Sequence, residues 1–261
     1  MRAPLSLRVG CSWREAGTIP SASVEAAPRG FIQYRKMLAQ TGAPVTFRVP
    51  SANLKIAIRF GCIGAAAMSG RYAGIVTPSN ALLCGNKSKW WGFNGQTNVD
   101  GVVRSLAGPG LAAECDSIPP AVAGGLEKLM PDSARATAAH DIAARHIIHA
   151  LAPTSAFPRP SAEHALRRTY SRCLKLSTEL EMDSLALPAL GCGVAGFPAG
   201  IGARAALDAV EEAVGIGLWS DSEEEGDGAK AATTLLEFVL LDERVYAAFA
   251  DAAHARWGRS A

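Results

Sequence analysis

No stretch of this sequence approaches the roughly 20 consecutive apolar residues that a bilayer-spanning helix needs, so a helical membrane protein is excluded. Nor does one sign of charge dominate. The formal net charge is +2, no segment concentrates lysine and arginine, and nothing in that balance points to nucleic acid as a partner. Cysteine pairing is missing as well: Cys11, Cys62, Cys84, Cys115, Cys173 and Cys192 contain no Cys-x-x-Cys spacing and follow no secretory signal. They read as free thiols in a reducing compartment, and the protein as intracellular. No internal repeat emerges either. What is present is the composition of a folded chain, with 49% hydrophobic and 19% charged residues over 261 positions, enough for a sizeable core.

Residues 1–43 carry scattered Pro, Ala, Gly and Ser with one helix-like run, Phe31 to Ala39, and read as an extension outside the core. The first fourteen residues hold Arg2, Arg8 and Arg14 and no acid; a flexible terminus and an organelle-targeting segment both fit that pattern. Residues 44–261 read as the folded domain. Val45 to Val49 and Leu54 to Phe60 alternate as strands do, with a turn at Gly61-Cys62-Ile63-Gly64. Gly74-Ile75-Val76 is a short buried strand ending in the turn Thr77-Pro78-Ser79-Asn80, and open α/β sheets place ligands at such strand ends.

The most informative stretch runs from Asn98 to Leu111. Asn98 suits a helix N-cap, Asp100 falls in the first turn where a carboxylate favours the exposed N–H groups, and Val102, Val103 and Leu106 follow at helical spacing. Gly108-Pro109-Gly110 then interrupts the helix before Leu111 to Cys115 resumes it. A helix mouth of this kind suits a phosphate, with Asp100 beside it to hold a hydroxyl or a water. An acid in the first turn is equally a plain cap residue, and this stretch by itself leaves both readings open.

Further along, His146 to Leu151 reads as a strand on which His146 and His149 face opposite sides, so they cannot share a metal. Ser161 is placed to cap a helix whose Leu166, Tyr170, Cys173, Leu174 and Leu180 form one face, and that helix leads to a strand over Ser184 to Pro188. Pro188-Ala189-Leu190-Gly191-Cys192-Gly193-Val194-Ala195-Gly196-Phe197-Pro198 follows, three glycines between a buried strand and a helix that starts near Pro198 or Ala199. Such a loop offers backbone N–H groups to an anion, and it is also an ordinary connection. An acidic loop, Ser220 to Asp227, precedes an apolar strand over Leu235 to Leu241 and a last helix capped by Asp242. Alternating strands and helices predict an α/β fold, a three-layer α/β/α sandwich around a mixed, mostly parallel sheet.

Four of these segments, in this order, resemble the macrodomain family, the ADP-ribose-binding module. Ile75-Val76-Thr77-Pro78-Ser79-Asn80 is similar to Ile-Val-Asn-Ala-Ala-Asn, Asn98 to Leu111 to the Gly-Val-Asp-Gly helix start with its Ala-Gly-Pro end, and Pro188 to Pro198 to the family's glycine loop. Phe238-Val239-Leu240-Leu241-Asp242 with Val245-Tyr246 resembles its closing strand and helix. The resemblance implies ADP-ribose or an ADP-ribosylated protein as partner, no cofactor, no metal and a monomer. It places Asn80 and Asp100 around the distal ribose, where in hydrolytic members they organise a water against an ADP-ribosylated side chain or the acetyl ester of ADP-ribose. Ile63, Asn98 and Gly101 would line the ligand. Gly191, Cys192, Gly193, Val194, Ala195 and Gly196 would wrap the diphosphate, and Phe197 would pack on the ribose.

The sequence departs from that pattern in four places. Thr77 replaces the first Asn of the turn, Cys62 an Asp, Gly191-Cys192 a Ser-Thr pair, and Ala195 a Tyr that closes over the phosphates. A long aromatic segment replaces the glycine run before Val99, and Trp90, Trp91 or Phe93 is a candidate lid. Three functions are compatible with these residues: an ADP-ribosyl hydrolase or O-acetyl-ADP-ribose deacetylase, a non-catalytic reader of ADP-ribose, and a degenerate macrodomain that binds another nucleotide or RNA.

Overall fold

The structure is a computed structural model that describes residues 42–49, 52–85, 98–154, 160–219 and 233–258. The helix expected at Phe31 to Ala39, the Trp90-Trp91-Phe93 segment and the acidic loop lie outside the described residues. Seven strands form one sheet: β1 (Val45–Val49), β2 (Leu54–Phe60), β3 (Gly74–Pro78), β4 (Ala134–Ala138), β5 (His146–Ala150), β6 (Ser184–Leu187) and β7 (Leu235–Leu240). Their order across the sheet is β1-β2-β7-β6-β3-β5-β4. The five inner strands run parallel, while β1 and β4 pair antiparallel at the two edges, which is the expected mixed, mostly parallel sheet.

Six described helices cover the two faces: α1 (Ile63–Met68), α2 (Val99–Ala107), α3 (Pro109–Ser117), α4 (Pro160–Glu179), α5 (Ala199–Gly215) and α6 (Glu243–Trp257). Alternation along each strand decides which helix it meets. Val76, Ile148, Leu187 and Phe238 point to one side and pack with Leu166 and Tyr170 of α4, Leu207 and Val210 of α5 and Phe249 of α6. Ile75, Ile147, Ala186 and Val239 point to the other and pack with Ile63 of α1, Val103 of α2 and Leu111 and Cys115 of α3. The result is the expected three-layer α/β/α sandwich.

Several local expectations are corrected. The Gly61 to Gly64 turn opens directly into α1, with Cys62 at its N-cap, because Ala65, Ala66 and Ala67 continue as good helix formers. Thr77 and Pro78 remain in β3, held beside His149 and Ala150 of β5. Strand β4 was not expected at all: Ala-Arg-Ala-Thr-Ala has little intrinsic strand preference and is ordered by pairing with β5. Ser161 is the second residue of α4, not its cap. And β7 is not wholly apolar, since Glu237 sits in its middle at 1% exposure, paired with Arg59 and, at 3.0 Å, with Arg71.

Candidate functional site

The C-terminal ends of β2, β7, β6, β3 and β5 all lie along one edge of the sheet, because these strands are parallel neighbours. Loops leaving that edge carry the expected site residues. After β3 the chain folds tightly: the Asn80 side chain accepts from the N–H groups of Leu82 (3.2 Å) and Cys84 (3.3 Å) and donates to the Gly85 carbonyl at 2.8 Å. Asn80 is thus the internal frame of the 80–85 loop.

Asp100 stands in the first turn of α2, whose start is capped by Asn98 accepting from the Gly101 N–H at 2.7 Å. Asp100 is 6% exposed, and Arg104, one helical turn on, places Nε 3.1 Å from both carboxylate oxygens. Arg104 also donates to the Leu83 carbonyl at 2.8 Å, so one guanidinium joins the acid to the loop that Asn80 frames. Burial pushes the Asp100 pKa up, opposed by the Arg104 charge and by hydrogen bonds from Arg104 and Ser79. Burial makes this carboxylate more basic than a free aspartate, while the Arg104 guanidinium paired with it at 3.1 Å favours its charged form.

Behind Asp100 lies a chain of polar contacts. The Ser79 hydroxyl is 3.4 Å from Asp100 Oδ1 and 3.1 Å from His149 Nδ1, and the other ring nitrogen, Nε2, is 3.0 Å from the Thr137 hydroxyl. His149 is fully buried in β5, and burial, helped by the Arg104 charge, lowers its pKa to about 3. The ring is neutral at ordinary pH. Nearby on β3, the Thr77 hydroxyl is buried and, among the described residues, has no hydrogen-bond partner.

The loop after β6 is shaped by its glycines. Gly191 has φ of +81°, and a Cβ there would stand 2.9 Å from the Phe197 ring and 3.1 Å from Leu166. Its base is fixed from α4, where the Tyr170 hydroxyl accepts from the Leu190 N–H at 2.7 Å. The Cys192 thiol packs against Gly202 of α5, where any Cβ would collide with it. Burial, with the Asp242 charge, pushes that thiol's pKa to about 11, so it is not a thiolate nucleophile. The N–H groups of Cys192, Gly196 and Phe197 close turns within the loop. Among the described residues, those of Gly193, Val194 and Ala195 donate to no protein acceptor, and Val194 is 96% exposed.

Ile63 and Phe197 take other positions than surface contacts. Ile63 is 4% exposed in the core under α2, and Phe197 is 5% exposed in the opposite core. The structure links Asn80 to Asp100 through Arg104 and the loop rather than by direct contact.

Residues 88–206 match the Macro domain family profile. A macro domain-containing protein of Xanthomonas axonopodis is 33% identical over 113 residues, 43% of this chain and 62% of that protein. One of Streptomyces coelicolor is 32% identical over 157 residues, 60% of this chain and 81% of that protein. This chain is a macro domain. An O-acetyl-ADP-ribose deacetylase of Enterobacter is 31% identical over 118 residues, 45% of this macro domain and 63% of the enzyme. The macro domain thus spans less than two thirds of the Xanthomonas and Enterobacter relatives. Among solved structures, the Oceanobacillus iheyensis macrodomain with ADP superposes with a TM-score of 0.65 at 21% identity, covering 83% of this chain and 97% of that one.

Sequence reading missed the residues that hold Asp100 in this macro domain. Arg104 was visible as an i, i+4 partner of the acid. Ser79 follows β3, Thr137 lies in β4 and His149 in β5, and no local spacing joins them.

Proposed function

We propose that this macro domain binds ADP-ribose and hydrolyses it from mono-ADP-ribosylated protein or from O-acetyl-ADP-ribose. The observation that carries the reading is the buried Asp100 carboxylate at the start of α2, made more basic by burial and oriented by Arg104 and Ser79. A carboxylate of that kind accepts from a ribose hydroxyl and from a water, and polarises the water toward a scissile bond. The unpaired N–H groups of Gly193, Val194 and Ala195 suit a diphosphate, which needs donors more than cations. In this reading Asn98 and Gly101 set the helix start, Gly191 and Gly196 set the loop, and Asn80 shapes the wall opposite Asp100. The deacetylase among the relatives supports the same chemistry.

A reader without turnover is the second reading. It is favoured by the commitment of the Asn80 amide to its own loop, which leaves Asp100 without help from Asn80 in handling a water. Asp100→Asn separates the two, because it keeps the side-chain shape and an acceptor for Arg104. Titration calorimetry with ADP-ribose, with AMP as control, is expected to detect binding to wild type. The hydrolase predicts a fall in release of ADP-ribose of about 100-fold or more in the variant. Wild type that binds ADP-ribose but releases none from either substrate class supports the reader, and no binding at all rejects both.

A further inference from the structure

We propose that His149, braced by Thr137, is a positioning residue for the ADP-ribose site: its ring fixes the direction of the Ser79 hydroxyl, and through it which oxygen of Asp100 is left to receive the ligand. The inference rests on the reading above that Asp100 meets the ribose.

The direction of every proton in this chain of contacts follows from counting donors. An ionised carboxylate only accepts, so Ser79 must donate to Asp100 Oδ1 across the 3.4 Å contact. A hydroxyl has one proton, so Ser79 can meet the ring nitrogen at 3.1 Å only as acceptor, and His149 must carry its proton on Nδ1. A neutral imidazole has one N–H, so Nε2 accepts from the Thr137 hydroxyl at 3.0 Å. With Ser79 donating to Asp100, the donor order runs Thr137 to His149 to Ser79 to Asp100.

The scaffold that holds this order is rigid. His149 lies in β5 between β3 and β4, opposite Thr77 on one side and Arg135 on the other, and Thr137, two residues along β4 from Arg135, reaches it diagonally. The Ser79 backbone is tied to the same strand, its N–H donating to the Ala150 carbonyl at 2.8 Å. Two strands therefore present one hydroxyl proton to a loop-facing acid, which is how an outer contact orients a group that touches ligand.

The consequence at Asp100 is an asymmetry. Arg104 meets both oxygens at 3.1 Å and by itself would leave them equivalent. Ser79 adds a second donor to Oδ1 alone, so among the described residues Oδ2 accepts only from Arg104. Oδ2 is the oxygen with a lone pair to spare, and a ribose hydroxyl or a water belongs there. The 3.4 Å link is the longest in the chain, so the effect is one of orientation, modest in size.

Two measurements on the full chain test this. First, long-range proton–nitrogen correlation spectra of the wild-type imidazole rings are expected to show His149 neutral and protonated on Nδ1 at pH 6.5; an Nε2–H tautomer or an imidazolium overturns the proposal whatever the ligand does. Second, ADP-ribose titrations compare wild type, Ser79→Ala, His149→Leu, His149→Asn and the Ser79→Ala/His149→Leu double variant. Each of Ser79→Ala and His149→Leu is expected to weaken binding about fivefold to tenfold. The double variant should be no weaker than Ser79→Ala alone, because His149 acts only through Ser79. His149→Asn restores an N–H at the Nδ1 position and should recover most of the affinity. Additive losses, or variants that bind like wild type, overturn the role of His149 while leaving ADP-ribose binding intact. If wild type itself fails to bind ADP-ribose, the functional reading falls first and the positioning role with it.

Discussion

Tyr170→Phe isolates the support of the glycine loop with a single atom. Tyr170 is 1% exposed on α4, and its ring packs edge-on to Phe238 with centroids 6.4 Å apart, so a phenylalanine keeps the packing. What disappears is the hydroxyl that accepts from the Leu190 N–H at 2.7 Å and donates to the Leu190 carbonyl at 3.4 Å. Leu190 is fully buried, and among the described residues no other acceptor meets its N–H. An amide left unpaired in the interior costs about 1–3 kcal/mol, and the weaker contact to the carbonyl adds little. For a domain of this size that loss lowers the unfolding midpoint by about 2–12 °C. Urea titration should move the midpoint with the slope unchanged, since the native fold and the surface exposed on unfolding stay the same. Amide hydrogen exchange should quicken at Leu190 and Cys192 and stay unchanged in the edge strand β1. A midpoint shift below about 1 °C would refute the claim that this hydroxyl holds the base of the loop.

Glu237→Leu should be severely destabilising, by about 3–5 kcal/mol, because it strands the Arg59 guanidinium, whose side chain is 11% exposed. Replacing Arg59 with Leu as well should recover most of that loss in thermal melts, and a double variant no better than the single one would show the pair is not the cause. The buried neutral His149 sets an acid response of known sign. Its pKa falls from 6.5 to about 3 on folding, so below pH 6.5 the unfolded chain binds a proton that the folded one refuses, and stability is lost as pH falls. Between pH 7 and pH 5 wild type should lose about 2 kcal/mol more than His149→Leu, measured by urea unfolding at each pH. Parallel pH profiles for the two proteins would contradict the burial of a neutral ring.

Elements with strong local chemistry were legible before the structure. The bounds of β1 and β2, the Asn98 and Asp242 caps and the break at Gly108 follow from alternation, capping and a backbone angle that glycine tolerates, and all are observed. Elements whose order comes from distant partners were not. Strand β4 is alanine-rich and exists because β5 lies beside it; Glu237 interrupts an apolar strand because two arginines from other segments meet it. The site divides along the same line. Asp100 and the glycine loop announced themselves by local spacing, whereas Ser79, Thr137 and His149 became a unit only when β3, β4 and β5 aligned. Asn80 carried a resemblance to a ligand-facing residue, and its bonds to Leu82, Cys84 and Gly85 show that it also builds the loop.

On the edge strand β4, one backbone donor is occupied by a side chain of the helix layer. Among the described residues no strand pairs with its outer rim, and its residues alternate alanine with Arg135 and Thr137. Glu114, from α3, reaches over that rim and accepts from the Ala138 N–H with both oxygens at 3.2 Å, while His140 closes on the same carboxylate at 2.6 Å. The amide that would greet an incoming strand is already occupied, and by a negative charge. A helix side chain thus takes one backbone donor of the edge strand out of further strand pairing, at the end of β4 that lies beside the start of β5.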